Sequence, residues 1–152
     1  MRTVITAELP NTADAIALIS ELEAHLGPLY PKTSRHGYSV EKLMEQGVAF
    51  FVTRRDGVLA GCGGIELFGT EYGEIKRMYV RPEFRGLRLA QLMLNHLAAY
   101  AQERDVHLLR LETGIYQKEA IALYERMGFQ RISPFGRYKE DPLSRFYEKH
   151  IR

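Results

Sequence analysis

The sequence predicts an α+β (mixed α/β) fold, one twisted mixed sheet of six or seven strands flanked by about four helices. Three observations carry that expectation. Residues 48–80 hold successive alternating segments separated by glycine-bearing turns, which reads as an antiparallel meander. A long apolar stretch and a shorter amphipathic one follow, each set between strand-like segments, which makes strand–helix–strand crossovers. A strand and a capped helix come before the meander. At 152 residues the chain suits one domain, 1–152, with enough length for its own core.

In chain order, "RTVITAEL" alternates as a strand, and Pro10, Asn11 and Thr12 supply a turn and a cap for "ADAIALISELEAHL". "GPLYPKTSRHGYS", residues 27–39, has little periodicity and reads as an irregular loop before the short amphipathic "VEKLMEQ". "VAFFVTR", "VLAGCGGIELF" and "EIKRMYV" are the meander strands, turning at "RDG" and between Gly69 and Gly73. Pro82 suits a first helical turn, so "FRGLRLAQLMLNHLAAYAQERD" is expected to run as one long helix, apolar on nearly every face and largely buried. "HLLRLETG" is a strand and "KEAIALYERMG" a helix ended by Gly128. "FQRI" and "SRFYEKHI" are the final strands.

Composition excludes several function classes. With 45% hydrophobic and 26% charged residues, the chain is neither disordered nor extreme. A net charge of +2 argues against a nucleic-acid partner, which calls for a concentrated basic stripe. The single cysteine, Cys62, rules out an internal disulfide and any multi-cysteine zinc site, and it reads as a small buried strand residue. His25, His36, His96, His107 and His150 are scattered without metal-ligand spacing, so no metal is expected. The N-terminus lacks the pattern of a signal peptide and no apolar run is long enough to span a bilayer, so no membrane role is expected and the cytoplasm is the expected compartment.

The feature that points to chemistry is "RPEFRGLRLAQLML". It places Arg81, Arg85 and Arg88 where a helix already presents unpaired N–H groups and a positive dipole end. On a continuous helix Arg85 and Arg88 share a face with no intrahelical acid to offset them, so an external anion is the expected partner. Solvated arginines on a wet turn are the alternative. A P-loop and a dinucleotide fingerprint are both absent.

Strand "EIKRMYV" followed by "RPEFRGLRLA" resembles the GNAT superfamily of N-acetyltransferases, whose pyrophosphate loop reads [QR]-x-x-G-x-[GA]. Arg85 and Ala90 match its ends, and Arg88 stands where the family usually has glycine. "QKEAIALYERMGF", residues 117–129, is similar to the family's late N-x-x-A-x-x-L-Y-x-x-x-G-F motif, with Gln117 in place of Asn. The two motifs lie in the family's order within residues 47–132. The resemblance implies a sheet splayed between its fourth and fifth strands, with acetyl-CoA in the wedge as co-substrate.

The resemblance also implies roles. Main-chain groups of Met78, Tyr79 and Val80 would hold the pantetheine arm. The amides of Arg85, Gly86, Leu87, Arg88, Leu89 and Ala90 would hold the pyrophosphate, with Gln117 on pantetheine or water. At Arg88 the N–H survives replacement of glycine, and the anion site persists if φ is negative and Cβ turns away from the phosphate. Tyr124 matches the tyrosine that meets the leaving thiolate as general acid; core packing is its alternative. Attack on a thioester needs a neutral amine, hence a base. Glu74 is the leading candidate and shares a strand side with Met78 and Val80 by parity, barring a bulge; a glutamate paired with Lys76 or facing water is the alternative. Glu112 is a second carboxylate able to orient the amine or shift the base. Tyr30, Arg35, His36, Arg137 and Tyr138 are candidate acceptor-binding residues, because arginine takes a carboxylate bidentately. The expected substrate is therefore a small amine-bearing metabolite or amino acid. A peptide N-terminus and a non-catalytic acyl-CoA-binding module are the rival readings, and a homodimer is a possibility.

Overall fold

Each strand begins where local chemistry turns the chain. In the computed structural model, which describes residues 2–152, β1 (Thr3–Ala7) leads through Thr12 into α1 (Ala13–Leu26). The Thr12 hydroxyl accepts the Ala15 N–H at 3.2 Å and donates to Glu8 at 2.5 Å, which fixes the helix start. Ser39 caps the short α2 (Val40–Glu45) in the same way through the Lys42 N–H at 3.1 Å. Asp56 (φ 51) and Gly57 (φ 80) form the tight turn between β2 (Ala49–Arg55) and β3 (Val58–Phe68), a pairing of two positive φ values that suits hairpin twist. β4 (Tyr72–Val80), α3 (Leu89–Gln102), β5 (Leu108–Gly114), α4 (Lys118–Arg126), β6 (Gln130–Ile132) and β7 (Ser144–His150) complete the chain.

The strands form one sheet in the order β1-β2-β3-β4-β5-β7-β6, antiparallel throughout except for the parallel pair β4–β5. α3 and α4 cover one face over a core that includes Met93, Leu97, Leu109, Leu111 and Tyr147. α1 and α2 cover the other over Ala15, Leu18, Leu43, Val52 and Cys62. Cys62 is buried as expected, donates to the Arg77 carbonyl at 3.3 Å, and burial pushes its thiol up to about 12, so it is no nucleophile. No helix among the described residues is long and apolar enough to cross a membrane.

Two expectations at the middle of the chain need correction. The long helix does not begin near Phe84: Pro82–Phe84 close a single 3-10 turn, residues 85–88 are irregular, and α3 starts only at Leu89. Arg85 and Arg88 therefore do not share a helix face. α3 is also one-sided, with Leu92 45% exposed while Met93, Leu94 and Leu97 are buried, so it covers the sheet as an amphipathic layer.

Candidate active site

β4 and β5 meet only at Gly73↔Leu109 and Glu74↔Arg110. Beyond that point β5 pairs only with β7, and the two parallel strands separate into a wedge. A cleft of about 540 Å3 opens there, walled by Met78, Tyr79 and Val80 on one side and Gln117, Ala120 and Tyr124 on the other. At its lip the amides of residues 86–91 donate to no backbone or side-chain acceptor among the described residues. Those free donors at the start of α3, with Arg85, Arg88, Lys118 and Arg126 around the same cleft, suit a phosphate-bearing ligand.

Gly86 (φ 81) and Arg88 (φ 62, ψ 26) are both left-handed. The negative φ set as a condition at Arg88 is therefore not met. The loop keeps the backbone shape that glycine adopts freely, and arginine takes it at a cost of roughly 1 to 2 kcal/mol. Arg88 caps α3 without a side-chain hydrogen bond and lines the cleft, while Arg85 donates to the Val80 carbonyl at 3.2 Å. Arg81 is not part of this site. Its guanidinium grips Glu21 through two bonds of 3.1 and 2.7 Å, and that grip holds the Glu21 carboxyl below its usual range.

β4 carries a bulge. Gly64 pairs with Lys76 and Cys62 with Tyr79, so two steps on β3 span three on β4, and Arg77 takes φ 53. Side chains on either side of the bulge are therefore out of phase. Glu74, Lys76 and Tyr79 face α1, whereas Ile75 and Met78 pack into the core beneath α3. The parity that placed Glu74 with Met78 and Val80 fails here. Arg77 is itself a fastener: it donates to the Tyr38 carbonyl at 2.9 Å and to Glu23, tying the 27–39 loop to α1 and the sheet. A side chain at Gly37 would displace the Arg77 guanidinium from this position, because a Cβ there would meet it.

On the α1 side of the sheet lies a smaller cavity of about 90 Å3 beneath the 27–39 loop. Leu22, Met78, Gln117 and Tyr124 line both cavities, so the two meet at Tyr124. Burial, with a smaller contribution from the Glu112 charge, raises the Tyr124 hydroxyl above its ordinary value and keeps it protonated. Its ring also packs edge-on to Phe129 at 5.6 Å. Gln117, in place of the family's Asn, accepts the Gly114 N–H at 3.0 Å through Oε1 and so closes the turn from β5 into α4.

The charged residues of the smaller cavity are mostly spoken for. Lys76 Nζ lies 2.8 Å from Glu74 Oε2 and 3.7 Å above the Tyr38 ring, and Tyr138 donates to the same Glu74 oxygen at 2.5 Å. This is the paired state named as the alternative for Glu74. Among the described residues, Glu112 has no cation at ion-pairing distance and accepts only from Ser144 Oγ at 2.8 Å. Burial and the Glu74 charge raise its carboxyl above the usual range, against the lowering effect of Ser144 and His36.

Of the predicted acceptor-side residues, Tyr30, Arg35, His36 and Tyr138 line this cavity; Arg137 is exposed and does not. Tyr30 is committed to structure, for its hydroxyl accepts the Tyr116 N–H at 3.0 Å and its ring packs on Tyr116. His36 sits 3.3 Å from Asp141, whose carboxyl is held below its ordinary value first by the Leu143 N–H and also by Ser34 and His36. Arg77 lines the cavity, and Asp141, Ser144 and Tyr38 contact residues that line it, without having been singled out in the sequence; Lys76 was named there only as the alternative partner of Glu74. No group of His, Cys, Asp and Glu able to hold a metal occurs among the described residues.

A sheet splayed between parallel strands, with free amides at the lip of the cleft and a second cavity meeting it at Tyr124, suits a protein that binds an extended anionic ligand. Residues 19–129 match the acetyltransferase (GNAT) family, and the chain belongs to that family as an N-acetyltransferase, a class that uses acetyl-CoA for acyl transfer. It is similar to an IAA acetyltransferase of Azospirillum brasilense, 42% identical over 149 residues that cover 97% of each chain. A candidate acyl-CoA N-acyltransferase of Klebsiella pneumoniae is 40% identical with a TM-score of 0.84, covering 99% of this chain and 98% of that one. The N-acetyltransferase PaiA of Thermoplasma acidophilum, solved in complex with coenzyme A, shares the fold at 17% identity, with a TM-score of 0.79 over 98% or more of both chains: 99% of this one and 100% of that one.

Proposed function

We propose that this chain transfers the acetyl group of acetyl-CoA to the primary amine of a small molecule by direct attack, with Glu112 taking the proton from the amine and Tyr124 meeting the departing thiolate. The observation that carries the reading is the junction of the two cavities at Tyr124, with Glu112 on the acceptor side and the free amides of residues 86–91 on the donor side. Acetyl-CoA fits the donor side through chemistry already present: amides for the pyrophosphate, and the unpaired edge of β4 at Met78, Tyr79 and Val80 for the amide-bearing arm.

An alkylammonium is mostly protonated at neutral pH, so it must lose a proton before its lone pair can attack the thioester carbon. Glu112 suits that task better than Glu74. Its raised carboxyl is a stronger base than an ordinary one, while Glu74 is already shared between Lys76 and Tyr138. As the tetrahedral intermediate collapses, the C–S bond breaks and the sulfur takes the electron pair. The Tyr124 hydroxyl, protonated throughout the working range, supplies a hydrogen bond and then a proton to that sulfur. A peptide acceptor would call for an open groove, and the roofed cavity of about 90 Å3 favours a small molecule.

The test is release of the CoA thiol from acetyl-CoA in the presence of a panel of small amines, with the acetylated product identified by mass. Tyr124→Phe is expected to lower kcat by about 100-fold or more with the melting temperature unchanged. Tight acetyl-CoA binding with no acetylation of any amine or peptide would overturn the reading and leave a non-catalytic acyl-CoA-binding module.

A further inference from the structure

The lining of the acceptor cavity nearly balances its own charge. Glu74 neutralises Lys76, Glu23 pairs with Arg77, and Asp141 lies against His36. Two charged residues of the lining are left over: the Glu112 carboxylate, bonded only to a serine hydroxyl, and the Arg35 guanidinium, which makes no ion pair or side-chain hydrogen bond among the described residues. Both are partly buried. One unmatched anion and one unmatched cation thus face a single small cavity.

We infer that the acceptor is a small zwitterion, an amino acid or other amino-carboxylate, whose ammonium is delivered to Glu112 and whose carboxylate is bound by Arg35. This rests on the proposed acetylation of a small amine and narrows its substrate class. A simple amine would satisfy Glu112 and leave Arg35 unmatched, whereas a zwitterion completes both. The planar guanidinium suits a carboxylate because it offers two parallel N–H donors. The setting favours the pairing as well, since Glu112 and Arg35 are both partly buried, so water competes less for the two partners than at a fully exposed surface. Arg35 stands close to the end of α1. It immediately follows the Lys32–Ser34 turn, and its Nη1 lies 3.6 Å from where a Cβ on Gly27 would stand, at the C-terminal end of α1. The neighbouring His36 anchors the same loop to Asp141.

The experiment compares kcat/KM for the standard amino acids with their decarboxylated amines and methyl esters, for the natural enzyme and for Arg35→Gln and Arg35→Lys, each checked for an unchanged melting curve. At least one amino acid is expected to exceed its decarboxylated amine and its ester by about 100-fold, the scale of a lost buried charge partner. Arg35→Gln is expected to erase that advantage mainly through KM, and Arg35→Lys to restore part of it. Decarboxylated amines acetylated as well as or better than every amino acid would overturn the inference while leaving amine acetylation standing. Equal losses on both substrate types in Arg35→Gln would overturn it too. If no amine, ester or amino acid is acetylated although acetyl-CoA binds, the underlying reading fails, and this one fails with it.

Discussion

Replacing Arg88 by glycine should move stability and donor affinity in opposite directions. The residue holds φ 62 and ψ 26 as the N-cap of α3, a left-handed conformation that costs a side-chain-bearing residue about 1 to 2 kcal/mol. Glycine removes that cost but brings a more flexible unfolded chain, which returns roughly 0.5 to 1 kcal/mol. The net expectation is a gain of about 0.5 to 1 kcal/mol, or a rise of about 1 to 4 °C in the melting temperature at this chain length. The guanidinium lines the donor cleft at the lip where the amides of residues 86–91 are free. Its loss should weaken CoA binding by about fivefold, as for one exposed ion pair worth about 1 kcal/mol, and should flatten the salt dependence of Kd. Arg88→Ala separates the two effects, since it removes the charge and keeps the strained backbone: affinity should fall with no gain in melting temperature. Calorimetric titration with CoA at two salt concentrations and a thermal melt without ligand provide both readouts. An unchanged Kd and salt slope in Arg88→Gly would show that the charge does not meet the ligand, and a lowered melting temperature would refute the strain argument.

Two further outcomes follow from the acceptor side. Because burial and the Glu74 charge raise Glu112, and the base must be ionised to act, kcat/KM should climb with pH along a limb above the ordinary carboxylate range; Glu112→Gln should lower the rate and abolish that limb, and an unchanged profile would remove Glu112 as the base. Glu74→Gln leaves the Lys76 ammonium, 6% exposed, without its anion. Breaking a buried pair on one side costs about 3 to 5 kcal/mol, so the melting temperature should fall by about 6 to 20 °C; a change under about 2 °C would mean the pair is not a structural element.

The architecture was legible because its signals are local. β3 runs over the predicted "VLAGCGGIELF", since its turns are marked by "RDG" and Gly69, and α4 follows its amphipathic spacing. The start of α3 was not legible. Arginine is a good helix former, so nothing in "FRGLRL" announces that residue 88 is left-handed and that the helix waits until Leu89. The residues that line the larger cleft, Tyr124 and the amide loop among them, were readable from two motifs. The acceptor side was readable only in part, because its pairings join residues far apart: His36 meets Asp141 across 105 positions and Tyr138 meets Glu74 across 64. A periodic pattern cannot report such pairs. The placement of Glu74 turned on one extra residue in β4, and a bulge of this kind leaves no mark when its left-handed position is filled by arginine.

That extra residue at Arg77 resets the alternation of the strand. Upstream of it, odd-numbered side chains enter the core beneath α3; downstream, even-numbered ones do. Deletion of residue 77 itself would remove the extra residue and leave both phases in place, with Met78 still beneath α3 and Tyr79, whose hydroxyl bonds Glu21, still toward α1. Loss of a residue elsewhere in β4, with the bulge kept, would instead turn the side chains on one side of it to the wrong face, and should be far less tolerated than loss of residue 77.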